Sequence, residues 1–363
     1  MAYVYVTEQG ATLRKTGDRL LVTKNDETIL DVRCREIEGV LLFGNVSVTT
    51  PAIRELMDHG IEMALLSRRG ELVAQLTPPT SRNVRLRLAQ YRRSEDSHWS
   101  LGFARSVVAA KIANGASLVR SFAKNHPAVS VASEISDLDR ALERVPVATQ
   151  LEALLGLEGT AAKRYFSAFG KLLAPGWSFE GRQRRPPRDP VNALLSFGYT
   201  LLFNEISSLL DGVGFDPYLG FYHQPDYGRP SLAADLVEEF RSPVVDRLTL
   251  RLINLRSLSP DDFERHTASG GLHLTRDALK RYLAAYDELV GGIEGEVIEV
   301  SGSVEPPAWP PDAGPDVSAD RPAPLTAAAP SSAPISLRRR FRLQIHGLER
   351  ALLGDEPYDP YRA

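Results

Sequence analysis

The sequence predicts an α+β chain in which a β-rich N-terminal domain is followed by an all-α domain. Two patterns carry that prediction. Short runs of β-branched and aromatic residues, separated by glycine turns, fill the first eighty positions, and apolar residues recur at helical spacing from about Asn83 onward. A third observation divides the rest: nine of the chain's 25 prolines fall between Pro306 and Pro334, among Ala, Ser and Asp. Such a composition cannot bury enough apolar surface to pack, so residues 304–334 are expected to be a disordered insertion or linker. The expected division is therefore 1–80, 81–303, 304–334 and 335–363.

Tyr3–Thr7 opens as a strand, and Gly10 and Gly17-Asp18 are turns around strands at Ala11–Thr16 and Arg19–Lys24. Thr28–Val32, Gly39–Phe43 and Ser47–Thr49 follow as further strands. One helix interrupts them: Thr50 caps it, Pro51 suits its first position, Ala52–His59 forms its body and Gly60 stops it. Ile61–Ser67 and Glu71–Gln75 flank a hairpin turn at Arg68-Arg69-Gly70, and Pro78-Pro79 is the expected hinge. Beyond it, helices are expected near 83–94, 99–125, 134–144, 147–156, 159–172, 190–210, 229–240, 242–256, 275–290 and 336–353, with loops at 173–189 and 211–228. The last helix is basic and amphipathic, with Arg338, Arg339, Arg340 and Arg342 near its start. It is expected to pack back on the helical domain with most of those arginines solvated.

Composition narrows the class. Of 363 residues 43% are hydrophobic and 25% charged, ordinary for a globular protein, and the net charge of −3 means that any nucleic-acid binding must rest on local patches. A single cysteine, Cys34, rules out an intrachain disulfide and a multi-cysteine zinc site, and fits a cytoplasmic protein. No basic segment followed by an apolar one opens the chain, and no uninterrupted apolar run spans a bilayer, so neither a signal peptide nor a membrane helix is expected. The P-loop, the G-x-G-x-x-G fingerprint and the G-x-S-x-G elbow are all absent.

Chemistry is concentrated in a few places. In the run Ser231 to Arg241, Asp235 and Glu238 stand three apart on one helical face, while Leu232, Leu236 and Phe240 line another. That acidic face is either solvated or holds a cation. Just before it, the Gly- and aromatic-rich loop Gly214–Gln224 delivers His223, whose imidazole with carboxylates would make a mixed N/O ligand set suited to Mg²⁺ or Mn²⁺. A third carboxylate is available at Glu158, between Gly156 and Gly159 at an expected helix junction. It either complements a helix dipole or seeks a cationic partner. Arg182, Arg184, Arg185 and Arg188 crowd one stiff loop, and Arg82, Arg85, Arg87, Arg92 and Arg93 crowd the hinge helix. Both groups suit phosphate oxygens or form a solvated surface.

Several blocks in this order resemble the CRISPR-associated integrase family, the larger of the two universal spacer-adaptation proteins, a metal-dependent DNA endonuclease. They are Leu155–Gly159, Phe179–Ser196, Gly220–His223, Asp235–Arg241 and Gly270–Thr275, with Phe43–Val46 and Arg69-Gly70 in support. The resemblance spans nearly the whole chain except 304–334. It implies an N-terminal β-domain that dimerises and a helical metal-binding catalytic domain, with Glu158, His223 and Glu238 as ligands and Asp235 beside them. It also implies integration of DNA fragments at a CRISPR repeat by 3′-hydroxyl attack, a homodimer, and a small partner adaptation protein that bridges two dimers. The rivals are a catalytically inactive DNA-binding scaffold of the same fold and a metal hydrolase of small phosphoesters.

Overall fold

A computed structural model of the chain describes residues 2–68, 70, 72–77, 83–183, 186–265, 270–291, 298–299, 335–354 and 356–363. The N-terminal part runs β1 (Ala2–Val6), β2 (Thr12–Thr16), β3 (Arg19–Lys24), β4 (Glu27–Arg33), β5 (Ile37–Phe43), β6 (Ser47–Val48), α1 (Thr50–Asp58), β7 (Glu62–Leu66) and β8 (Leu72–Leu76). The rest runs α2 (Val84–Glu95), α3 (Ser97–Lys124), α4 (Ala132–Arg144), α5 (Leu151–Lys171), α6 (Pro190–Val213), α7 (Ser231–Phe240) and α8 (Arg247–Asn254). Then come β9 (Phe263–Arg265), β10 (Leu272–Leu274), α9 (Arg276–Gly291), β11 (Ile298–Glu299) and α10 (Leu337–Leu353). The expected β-rich start and helical remainder are both present. The paired strands β9 and β10, three residues each, are not among the expected elements, because a period-2 signal that short does not register. The Pro78-Pro79 hinge and the 304–334 insertion lie outside the described residues.

Two sheets make the N-terminal part. One has the order β4-β3-β2-β6 and the other β11-β1-β5-β7-β8, with β1, β5 and β7 parallel. Alternation along β1 and β5 explains how the second sheet is buried on both faces. Val4, Val6, Val40 and Leu42 join Leu13, Leu20, Val22 and Leu56 in a core between the sheets and α1. Tyr3, Tyr5, Leu41 and Phe43 point the other way, into the helical core.

The helices are positioned by capping as well as by packing. Asp189 accepts from the Asn192 N–H at 2.8 Å, Pro190 occupies the first position of α6, and Gly214 ends it in the left-handed conformation with φ 107°. By length and composition α6 is apolar enough to cross a membrane, but 67% of that stretch is buried inside the molecule. The junction expected near Glu158 does not exist. In place of the two helices expected over 147–156 and 159–172, α5 runs unbroken through Gly156 and Gly159. Two glycines cost a helix about 2 kcal/mol relative to alanine, and packing of a 21-residue helix against α3 and α4 outweighs that. Between α7 and α8 lies a π-helical turn, Arg241–Asp246, whose wider ring accommodates Pro243 without breaking the rod.

Helix α10 ties the two parts together. Arg338 is buried, not solvated: its Nε is 2.7 Å from Glu205 Oε1 on α6 and its Nη1 is 2.6 Å from Asp287 Oδ1 on α9. Its Nη2 donates to the Tyr5 hydroxyl at 3.1 Å, and its guanidinium lies 4.1 Å from the Tyr3 ring centre, both on β1. One cation thus joins the sheet, two helices of the body and the last helix.

Candidate metal centre

Helix α7 is buried all round, so its three acids cannot rely on solvent. Asp235 and Glu239 are fully enclosed and Glu238 is 4% exposed. A buried carboxylate is stable only when partners replace its hydration, and each of the three has a different set.

Asp235 is saturated by the preceding loop. Its Oδ2 accepts the backbone N–H groups of Phe221 at 2.7 Å and Tyr222 at 3.0 Å. Its Oδ1 accepts the N–H of His223 at 2.8 Å and stands 2.7 Å from that residue's Nδ1. The loop can wrap this closely because residue 220 is glycine: a Cβ there would fall 2.8 Å from the Ser231 carbonyl carbon and 2.9 Å from Asp235 Oδ2. Phe221 pins the same loop from the other side, its ring 4.6 Å from Trp99 and 5.2 Å from Phe103 on α3. Gln90 on α2 holds the loop's beginning, donating to the carbonyls of Asp216 and Leu219, each at 2.8 Å. With the Nδ1 proton assigned to the Asp235 contact, the Nε2 lone pair of His223 is free to coordinate, and it lies 4.0 Å from Glu238 Oε1.

Glu238 is held charged and Glu239 is not. Burial pushes the Glu238 carboxyl up, but the Arg241 guanidinium and the Lys111 ammonium pull it down to about 2. Its Oε2 is 2.6 Å from Lys111 Nζ and 3.1 Å from Arg241 Nε. Glu239, one residue on, faces away: burial raises its carboxyl to about 8, and it accepts from the Tyr358 hydroxyl and the Tyr361 backbone.

Glu158 sits in the middle of α5 and is ion-paired to the same Lys111 through Oε1. Helix α3 packs on both α5 and α7, so its lysine reaches both carboxylates. Beside this cluster is a cavity lined by Lys111, Glu158, Arg182, Tyr199 and Arg241. Arg182 and Arg241 both lie over the Tyr199 ring, at 5.3 and 4.7 Å. The Tyr199 and Tyr165 hydroxyls bind the buried Asp246, at 2.5 and 2.6 Å.

Glu158 and Glu238 therefore share Lys111, and His223 Nε2 lies 4.0 Å from Glu238, while Asp235 stands behind His223 with both oxygens engaged. Two carboxylates and an imidazole form a donor set that fits Mg²⁺ or Mn²⁺ with positions left for water and phosphate. Among the described residues, the trio whose ligand atoms all lie within 4.8 Å of one another is a different one, Cys34, Glu55 and His59. There the Lys15 ammonium already pairs with Glu55, and burial raises the Cys34 thiol to about 11.

The expected arginine patches divide. Arg182 is built into the fold, donating to Asn192 Oδ1 at 2.8 Å and Ser196 Oγ at 3.0 Å. Arg188 is exposed, as are Arg85 and Arg92 on α2, while Arg184, Arg185 and Arg82 lie outside the described residues. Sequence reasoning missed Lys111, Arg241 and Tyr199 as parts of the site. The available signal for Lys111 was a lone cation inside the apolar run Val107–Ala113.

Comparison with known proteins follows the same outline. A family model described as CRISPR associated protein Cas1 matches residues 4–288. A CRISPR-associated exonuclease Cas4/endonuclease Cas1 fusion from Geobacter sulfurreducens is 39% identical over 297 residues, 78% of this chain and 52% of that protein. This chain thus spans about half the length of that fusion. CRISPR-associated endonuclease Cas1 1 from Chlorobaculum tepidum is 35% identical over 292 residues, 78% of this chain and 85% of that one. Among solved structures, a CAS1 protein from Thermotoga maritima superposes with a TM-score of 0.76 at 23% identity, covering 98% of this chain and 97% of that one. A casposase bound to integration product gives a TM-score of 0.76 at 22% identity, covering 98% and 92%. These two likenesses are of fold.

Proposed function

The chain belongs to the Cas1 family of CRISPR-associated proteins, and from that premise we propose that it is a divalent-metal-dependent DNA endonuclease and integrase. It inserts short foreign DNA fragments as spacers into a CRISPR array, in antiviral defence. The observation that supports this reading is that Glu158 and Glu238 share Lys111, with His223 Nε2 4.0 Å from Glu238, beside a cavity edged by Arg182 and Arg241.

The reaction is phosphoryl transfer: the 3′-hydroxyl of a fragment loses its proton and attacks a phosphodiester at a repeat boundary, and the P–O bond to the cut strand breaks so that its 3′-oxygen leaves as a hydroxyl; in nuclease mode water takes the place of the 3′-hydroxyl. A bound Mg²⁺ or Mn²⁺ supplies Lewis-acid polarisation of a phosphate oxygen. Glu158, His223 and Glu238 would hold that ion, and Asp235, 2.7 Å from His223 Nδ1, would fix the ring and leave Nε2 for it. Arg241, Arg182 and the exposed arginines Arg188, Arg85 and Arg92 bind backbone phosphates of duplex DNA. A homodimer through the β-rich part is supported by β8, an edge strand that exposes Leu72 (41%) and Val73 (68%). A small partner adaptation protein bridges two such dimers.

His223→Ala tests the reading. Cleavage and strand transfer in Mn²⁺ should vanish while the fold and duplex binding persist; full activity in that variant would sink the metal assignment. A chelator control separates the enzyme from an inactive scaffold. Turnover of a small phosphoester without affinity for duplex DNA would favour a small-molecule hydrolase instead.

A further inference from the structure

The loop that delivers His223 does not end at the metal centre. Between Gln224 and Pro230 it rises into a tight turn, tied by an isolated antiparallel bridge between Asp226 and Arg229. The Arg229 N–H donates to the Asp226 carbonyl at 3.1 Å, and Asp226 Oδ1 accepts the Tyr227 N–H at 2.8 Å. Gly228 takes the left-handed conformation that the turn needs, with φ 71°. Ser231, at the start of α7, closes the base, its hydroxyl donating to the Gln224 carbonyl at 3.1 Å. Pro225 and Pro230 stiffen both arms. This braced tip presents Tyr227, the most exposed large apolar side chain among the described residues.

The surroundings say what such a ring meets. Tyr227 is four residues from His223, so at most ~14 Å separates their Cα atoms. The tip carries one acid, Asp226, and one cation, Arg229, both exposed, so it offers a backbone phosphate no net charge. It offers instead a flat aromatic face on a turn already ordered, and little freedom is lost when a ligand stacks there. In DNA only an unpaired base leaves such a face open, because a base inside a duplex is covered by its neighbours. Resting on the DNA-processing reading above, we infer that Tyr227 stacks on an unpaired base of the bound strand beside the metal centre. It thereby selects DNA with a single-stranded end. The contact reads no sequence, since every base has a π-face.

The test measures binding by the full chain in EDTA, so that it does not depend on the metal. Wild type, Tyr227→Phe and Tyr227→Ala are titrated by fluorescence anisotropy with a blunt duplex, the same duplex carrying a 3′ single-stranded extension, and that duplex with an abasic extension. The variants should melt like wild type, because the Tyr227 side chain is fully exposed. On the extended duplex Tyr227→Ala should bind about tenfold more weakly than wild type, and Tyr227→Phe should match wild type. Its salt slope should be the same in Tyr227→Ala as in wild type, since no phosphate contact is lost. On the blunt and abasic DNAs all should bind equally. Equal binding of wild type and Tyr227→Ala to the extended duplex, or the same loss on the abasic one, overturns the proposal. A loss in Tyr227→Phe as large as in Tyr227→Ala also overturns it, because the ring would not be the contact. Wild type without affinity for any of these DNAs is a separate outcome, which removes the DNA-processing reading and this proposal with it.

Discussion

Replacing Arg338 with methionine should be among the most damaging single changes in the protein, although it lies in the last helix. The side chain is 6% exposed and faces two carboxylates, Glu205 at 6% and Asp287 at 0%. Breaking a buried ion pair by removing one partner costs about 3–5 kcal/mol, because an uncompensated charge remains. Here two charges remain. They keep some help, since Glu205 still accepts from the Tyr286 hydroxyl at 2.9 Å and Asp287 from Tyr5 at 3.3 Å. The upper part of that range, about 5 kcal/mol, is therefore the expected loss. At roughly 2 °C per kcal/mol for a chain of this size, the melting temperature should fall by about 10 °C. Scanning calorimetry is the assay, and Arg338→Met/Glu205→Gln/Asp287→Asn should recover most of the loss. Because Arg338 also joins β1 to the helices, the single transition should split into two. A deficit below about 1 kcal/mol, or no recovery in the triple variant, would refute the claim that this arginine compensates buried charge.

Asp235→Asn puts an amide N–H₂ where backbone N–H groups and the His223 ring need an acceptor. Metal affinity measured by calorimetry should drop about 10–100-fold, with circular dichroism preserved. Gly220→Ala should lose about 1–3 kcal/mol in thermal unfolding and weaken metal binding, since its Cβ would meet Ser231 and Asp235 below 3.0 Å; a neutral outcome would mean that the loop is not tightly wrapped. Burial raises the Glu62 carboxyl from 4.5 to about 7, with Asp211 adding to the shift against a hydrogen bond from Ser208. A carboxyl raised on folding contributes its full stability below pH 4.5 and loses it as pH climbs through 7. Glu62→Gln should flatten that fall and gain about 1–2 kcal/mol at pH 8; urea midpoints that track the wild type from pH 5 to 8 would contradict it.

The sandwich strands were legible because the period-2 pattern of Tyr3–Thr7 and Gly39–Phe43 is strong. The start of α6 was legible because Asp189-Pro190 is a local capping signal. The glycines around Glu158 misled, since local propensity said break where packing against α3 and α4 said continue. Glu158, His223 and Glu238 could be grouped only through the order of blocks shared with a family. Nothing in their spacing, 65 and 15 residues apart by subtraction of their numbers, says that α3 would lie between α5 and α7. Lys111 and Arg338 stayed invisible for the same reason. A charge that serves a partner more than forty residues away in sequence has no local signature, and an arginine among arginines at the start of α10 reads as solvated until its partners on α6 and α9 are placed.

The dependence on α10 bears on how the molecule is made. Chains leave the ribosome N-terminal end first and domains fold as units. The buried residues of the two-sheet core all lie between Val4 and Met63. Glu205 and Asp287 are synthesised long before residue 338 can neutralise them. The outer face of β1, with Tyr3 and Tyr5, therefore waits for α6 and α9 to cover it and for Arg338 to neutralise their carboxylates. That interval is when the nascent protein is most exposed to aggregation and most in need of a holding chaperone, and ribosome-bound chains stalled before and after residue 338 should differ sharply in protease resistance.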